Sequence, residues 1–527
     1  MTRAAAIGAS ISVQELERDP YPVYARLRDK EPVSWVEAVG LWLVTRWDDV
    51  MEVVKTPHLY TGETQPSTLN RTFGRNLLGS EGPYHDRVKA IISPWFRMGA
   101  IRHFPSEVIA PIAAELIDAV SDRGEVELAS EFAEPLSVRV LREATGLGEI
   151  DDDTLRRWFQ NLAGGAANFE GDPAKQAVAD AASAEVNATI APILDRLAEA
   201  PDGTLLASML HERVDGEGLT REEIQSNLKV MIVGGLQAVS DLISISMWAL
   251  LGHPEQADEV RRDPELVAQT VEEAARWYSP VGTSTRQTTR ETELGGVVLP
   301  AGALIAAVLS SANRDARHWD APDEFDIRAH RRPHLAFAGG AHTCVGALLG
   351  RFEARTAMRL LLERLPNLRL DRDRPAEFEG WEFRSPLHLH LLFDTPSPRH
   401  PQRRKTMPAT TNELSEEYRN RLAKVQPNPA TLPPELDLFY EETAKRGIRL
   451  NKAGYSLKDA RQRELFARDE EAWMDQFGLT DAERELVRRR DWIGLWRAGM
   501  SIYVMVKLSG VTKTPLIEIG KQMRESG

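Results

Sequence analysis

The stretch from Leu219 to Pro254, LTREEIQSNLKVMIVGGLQAVSDLISISMWALLGHP, constrains the fold more than any other. It reads as one long helix. Thr220 and Glu223 have the spacing of a capping box at its start, and Gly252 and Pro254 mark its end. About 31 residues at 1.5 Å each would run about 47 Å, enough to cross a whole domain. It is also the most apolar part of the chain, yet it carries Gln237 and Asp241 near its centre. A carboxylate at that depth is expensive in lipid, so the stretch is expected to be a buried core helix and not a membrane span.

The rest of the chain is expected to wrap that helix. Its 527 residues exceed one compact domain, so length predicts two or three. Residues 1–394 read as one large, mainly helical unit with short β-like segments: LWLVTRW near the start, GGVVLPAGALIAAVL near 300 and PLHLHLLF near 390. Residues 395–413, TPSPRHPQRRKTMPATTNE, combine proline, small polar residues and basic charge and read as a linker. Met407 inside it looks like a former start codon, as in two fused genes. Residues 414–527 are charged, amphipathic and helical, a second small all-α domain. A net charge of -14 argues against nucleic-acid binding. The first residues lack the apolar run of a signal peptide or anchor, so a cytoplasmic protein without membrane contact is expected.

One cysteine in 527 residues excludes an internal disulfide and any cysteine-built zinc or iron–sulfur cage. That residue, Cys344, stands in HLAFAGGAHTCVGALLGRFEARTAMRLLLERL, where a glycine-containing loop leads into a helix of three- and four-residue apolar periodicity. A sulfur at the amino end of a helix meets free backbone N–H groups and the positive end of the dipole, which favour a thiolate. Glycines at 339, 340 and 346 leave room for close backbone approach by a flat macrocycle.

The run Phe337-x-x-Gly340-x-His342-x-Cys344-x-Gly346 resembles the haem-ligand signature of cytochromes P-450, with every fixed position filled. The resemblance extends over residues 10–394. It implies the cytochrome P-450 fold, mainly α with small β-sheets, and haem b with Cys344 as the iron ligand. Glu273-Ala-Ala-Arg276 is similar to the family's buried E-x-x-R pair. By the same resemblance Arg286, His334 and His85 are expected beside the haem propionates, with Lys89 where the family has an arginine. Gly234-Gly235 then mark the place on the long helix where oxygen binds. The acid–alcohol pair that normally relays protons there is replaced by Gln237 and Ala238. Gln237 can orient water but is no acid, and Ala238 has no hydroxyl. Three readings stay open: protons come through water or a substrate group, hydrogen peroxide is used directly, or turnover is lost and the protein is a haem sensor or scaffold.

PHLAFAGGAHTCVG, LPNLRLDRD, GWEFRSPLHLH, RTFG at 71–74 and the glutamine at 237 are most similar to the bacterial branch that O-demethylates small methoxylated aromatics. That implies an apolar pocket for a flat ring lined by Phe73 and Phe383, made roomier by Ala166 where a phenylalanine is expected. The alternative is a biosynthetic hydroxylase of a larger natural product. No flavin or iron–sulfur motif occurs, so external ferredoxin and ferredoxin reductase are implied unless peroxide is the oxidant.

All twelve histidines lie at or before residue 400, so the C-terminal domain cannot build a two-histidine iron site. Its landmarks Asn451, Gly454-Tyr455, Phe466, Gly478-Leu479-Thr480, Arg490-Asp491-Trp492 and Ile502-Tyr503 are similar to the small α subunit of protocatechuate 4,5-dioxygenase. That subunit carries no metal. The resemblance implies three options: recruitment of an extradiol dioxygenase β subunit, a lid or helper for the haem domain, or a solubility or dimerisation module.

Overall fold

The computed structural model describes residues 7–168, 171–329, 332–395, 448–457, 460–498, 500, 502–512 and 514. The linker expected over 395–413 lies outside them apart from its first residue, as does the start of the C-terminal domain up to 447. Two compact units are present, 1–399 and 400–527.

The first unit is built around the helix Arg221–Leu251, 31 residues long. Thr220 and Glu223 form its capping box, each side chain accepting from the other's backbone N–H, and Gly252 is its C-cap. Along its middle, Ile232, Leu236 and Ser240 are buried, while Gly234, Gln237, Ala238 and Asp241 are at least partly open. Those two sets recur every three or four residues, so they are opposite faces of one helix. Beyond Asp241 the next six residues are buried. This is the one helix among the described residues that is long and apolar enough to cross a membrane, and the apolar side chains of its C-terminal half are spent on the core instead.

Helices pack on it from several sides, among them Asp152–Ala166, Pro173–Glu199, Val267–Trp277 and Ala347–Arg364. The β-like segments form small sheets. A five-stranded sheet runs Val33–Val36, Leu41–Val44, Leu304–Val308, Thr283–Thr288, Tyr60–Thr61, with only the second and third strands parallel. His390–Leu392 pairs with Glu125–Glu127 and Arg369–Leu370, and Phe378–Glu379 pairs with Ser385–Pro386.

Glu273 and Arg276 sit one helical turn apart and meet through two hydrogen bonds of 2.7 and 2.8 Å, with Arg276 fully buried. Arg276 also donates to the carbonyls of Asn313, Pro322 and Glu324, and Glu273 accepts from the Asp326 N–H. One ion pair thereby anchors the irregular segment 313–326 to the helix Val267–Trp277.

The second unit has its own core, built from Leu450, Ala453, Phe466, Trp473, Met474, Trp492, Leu495 and Leu508 among others. Several of its motif residues have structural duties here. A Cβ on Gly454 would lie 2.2 Å from Val504, so only glycine allows that approach. Thr480 caps the helix Asp481–Arg489, and Arg490 ends it in the left-handed region while pairing with Glu470.

Replacing Glu273 with Ala leaves a buried guanidinium without its counter-charge, so unfolding in urea should show a loss of about 3–5 kcal/mol. A loss below about 1 kcal/mol would mean that the three carbonyls alone satisfy Arg276.

Candidate functional site

Cys344 is presented by a rigid loop. Its backbone N–H donates to the Phe337 carbonyl at 3.0 Å, closing the loop on itself. Gly340 within it has φ of +66°, and a Cβ there would lie 2.1 Å from the Val54 carbonyl oxygen, so this position requires glycine. The helix Ala347–Arg364 starts three residues after the cysteine, and the N–H groups of Gly346 and Ala347 reach the sulfur. Burial nevertheless pushes the thiol up from its ordinary value, against those N–H groups and the charges of Arg351 and Lys89. The helix dipole therefore does not by itself make the thiolate expected from the sequence; a bound metal ion would do so by displacing the proton. The side chain is accessible to solvent even though burial dominates its titration, so the sulfur lies on the wall of an interior space.

The open face of the central helix borders interior space as well. Gly234 is exposed at mid-helix, and a Cβ there would meet nothing within 4 Å. At Gly235 a Cβ would come within 3.2 Å of Leu141. The cysteine's helix crosses close by, where a Cβ on Gly350 would touch Val239 at 3.4 Å.

On the margin of the cysteine loop the chain gathers polar groups from four segments. His342 bonds Glu81 at 2.9 Å, and its ring lies 4.5 Å from that of His85. Glu81 also accepts from the Gly62 N–H, and Arg286 acts on both Glu81 and His342. Arg286 donates one nitrogen to Ser284 and the Thr285 carbonyl, but its Nη2 is buried without a partner. His85 is buried too; its Nδ1 faces Asp86 at 3.0 Å and its Nε2 has no partner. Buried polar atoms without partners are costly, and two of them in one cluster mark where a ligand's polar atoms belong. Haem b carries a flat apolar ring, an iron that takes a thiolate, and two carboxylate arms. The accessible sulfur, the uncovered helix face and the two orphaned nitrogens fit all three.

Other expectations need correction. His334 does not keep a nitrogen for a propionate: Nε2 meets Glu272 at 3.3 Å and Nδ1 accepts from the Ala336 N–H. Glu272 is the hub there, bonded by Arg351 and Arg355 as well, and His334 and Arg351 hold its carboxyl well below the usual range despite burial. Lys89 donates to the carbonyls of Ala341 and Thr343 and so braces the cysteine loop. Phe337 lies under the Arg351 guanidinium, 4.0 Å away. Phe73 is 1% exposed within the main core and offers no surface to a pocket, because the helices around it close over the ring. Ala166 ends its helix half-buried against the same core. Phe383 does face open space, at 52% exposure, on the turn before Ser385.

Sequence reasoning missed Glu81, Glu272 and Asp241. No local pattern reveals the first two, whose partners are distant in the chain. Asp241 did carry a signal, a lone carboxylate four residues after Gln237 in the most apolar stretch.

Comparison with known proteins places these features. A family model for cytochrome P-450 matches residues 176–386. The monooxygenase PikC of Streptomyces venezuelae is 34% identical over 374 residues, covering 68% of this chain and 86% of that protein. The 6-deoxyerythronolide B hydroxylase of Saccharopolyspora erythraea is 31% identical over 385 residues, covering 69% and 94%. The crystal structure of CalO2 superposes with a TM-score of 0.67 at 30% identity, covering 73% of this chain and 98% of that one. At the other end, the model for the LigA subunit of the aromatic-ring-opening dioxygenase LigAB matches residues 450–526.

Changing Arg286 to Met removes the orphaned guanidinium donor and keeps an unbranched, uncharged side chain in its place. Haem retention, read as the ratio of Soret to protein absorbance after dialysis, should fall while the far-ultraviolet circular dichroism stays unchanged. Undiminished retention would mean that Arg286 holds no carboxylate arm.

Proposed function

From a chain that belongs to the cytochrome P-450 family, and is therefore a haem-b monooxygenase, we propose an enzyme that O-demethylates small methoxylated aromatic compounds. The observation that carries this reading is the LigA-subunit match at residues 450–526. One polypeptide joins an oxygenase to a segment of the kind found in aromatic-ring opening, and demethylation of a methoxyphenol yields the catechol that such chemistry consumes. Phe383 supports it, an accessible flat ring just before the strand Ser385–Pro386 that packs against the central helix.

Haem b bound through Cys344 supplies the reductive activation of dioxygen, placing one oxygen atom in a C–H bond and releasing the other as water. The chain's own residues do the rest. Cys344 provides the thiolate: its backbone N–H donates to the Phe337 carbonyl, and the N–H groups of Gly346 and Ala347 flank its sulfur. Arg286 and His85 hold the carboxylate arms with their free nitrogens. The bare Gly234 leaves the face of the central helix open there. Gln237 orients solvent and Ala238 leaves it space. Hydroxylation of the methoxy carbon gives a hemiacetal that falls apart to a phenol and formaldehyde. Electrons come from a separate ferredoxin and its reductase, and the C-terminal unit recruits a ring-cleaving β subunit.

A second reading is favoured by one specific similarity. A relative at 31% identity is by name a hydroxylase of 6-deoxyerythronolide B, and with Phe73 buried in the core only Phe383 of the expected ring-binding pair faces open space. Under that reading the substrate is a larger natural product.

Titrating the ferric protein with methoxylated phenols and benzoates separates the two. The first reading requires a low- to high-spin shift of the Soret band with at least one of them. Phe383→Ala should then raise Kd about tenfold, the equivalent of about 1.4 kcal/mol. A flat response across the panel, with thiolate ligation intact, assigns the larger substrate.

A further inference from the structure

Monooxygenation consumes protons: one C–H bond, O2, two electrons and two protons become one C–OH bond and one water. At the positions where the family keeps an acid and an alcohol, this chain has an amide and a methyl group, Gln237 and Ala238. Neither can release a proton at neutral pH. An acid does stand on the same face of the helix one turn further on. Asp241 lies four residues beyond Gln237 and seven beyond Gly234, in line with the open stripe. Its carboxyl is hydrogen-bonded by the side chains of Gln237 and of Ser385, in the strand Ser385–Pro386 that packs against the central helix. Its Oδ2 is buried and has no partner.

We propose that Asp241 is the proton-holding group of this groove, standing in for the missing acid–alcohol pair. The O–H bond of its carboxyl breaks, and a new O–H bond forms on solvent or a substrate hydroxyl held beside Gln237. The carboxylate then takes a proton back from bulk solvent on the Ser385 side. Asp241 acts through what Gln237 holds, so it is a positioning residue for the proton. The assignment rests on the monooxygenase activity alone and is independent of the substrate class.

The electrostatics suit the task. Burial raises the Asp241 carboxyl to about 7, and the hydrogen bonds from Ser385 and Gln237 oppose that shift only partly. No charged group contributes. On the neighbouring elements Glu273 is spent on Arg276, Glu353 bonds Ser137, and Glu382 senses Glu17. An acid so placed is loaded below about pH 7 and empties as the pH rises through that value.

The experiment uses the full-length holoenzyme with ferredoxin and reductase, on any compound that shifts the Soret band. It measures the share of consumed electrons recovered in product against hydrogen peroxide, across about pH 6–9. The wild type should lose coupling above about pH 7. Asp241→Asn should drop coupling about tenfold or more and abolish its pH dependence, while Asp241→Glu restores both. Ser385→Ala removes a bond that favours the carboxylate, so it should move the wild-type profile to higher pH. That variant decides the matter if Asp241→Asn fails to give the thiolate–carbon monoxide spectrum. An infrared readout needs no turnover: the ferric wild type should show a protonated-carboxyl band that fades between about pH 6 and 8 and is missing from Asp241→Asn. Unchanged coupling and pH profile in Asp241→Asn would falsify the proposal. So would weaker substrate binding with normal coupling, which makes Asp241 a substrate contact, or an unmoved profile in Ser385→Ala. Failure of the substrate-class reading would show separately, in the Soret titration.

Discussion

The first unit depends on how one helix distributes its surface. A helix of 31 residues with buried side chains around most of its circumference needs a full domain to cover it. Helices of up to 27 residues supply that cover. The cover is incomplete by design of the sequence at the middle of the helix, where Gly234 has no side chain to pack and Gln237 and Asp241 resist burial in hydrocarbon. An interior space next to a polar stripe follows from that interruption, and the site is built on it.

Around that space the chain spends polar groups in two different ways. Glu273 with Arg276, and Glu272 with Arg351 and His334, are networks whose members find their partners inside the protein. Closed networks fix the segments that carry the cysteine loop. Arg286 and His85 are open: each keeps a buried nitrogen with nothing to bond. The contrast separates bracing from binding without reference to position in the chain.

The C-terminal unit shows the opposite balance. Among the described motif residues, Gly454 packs against Val504, Thr480 caps a helix and Arg490 pairs with Glu470.

Much was legible in the sequence because it is local. The central helix, its capping box and its end follow from periodicity and capping chemistry within 36 residues, and the structure has them at those residues. The glycines of the cysteine loop, the one cysteine and the Glu273–Arg276 spacing are equally short-range. What the tertiary structure decided are matters of distance through space. Phe73 and Phe383 are both apolar rings in the chain, but one is sealed in the core and one is half exposed. Glu81 acquires its role from His342, 261 residues away, and Arg286 acquires its from the lack of a partner that only packing can reveal. Asp241 could be read along the chain as a charge out of place. Burial against Ser385, 144 residues on, is what turns it into an acid that holds its proton near neutral pH.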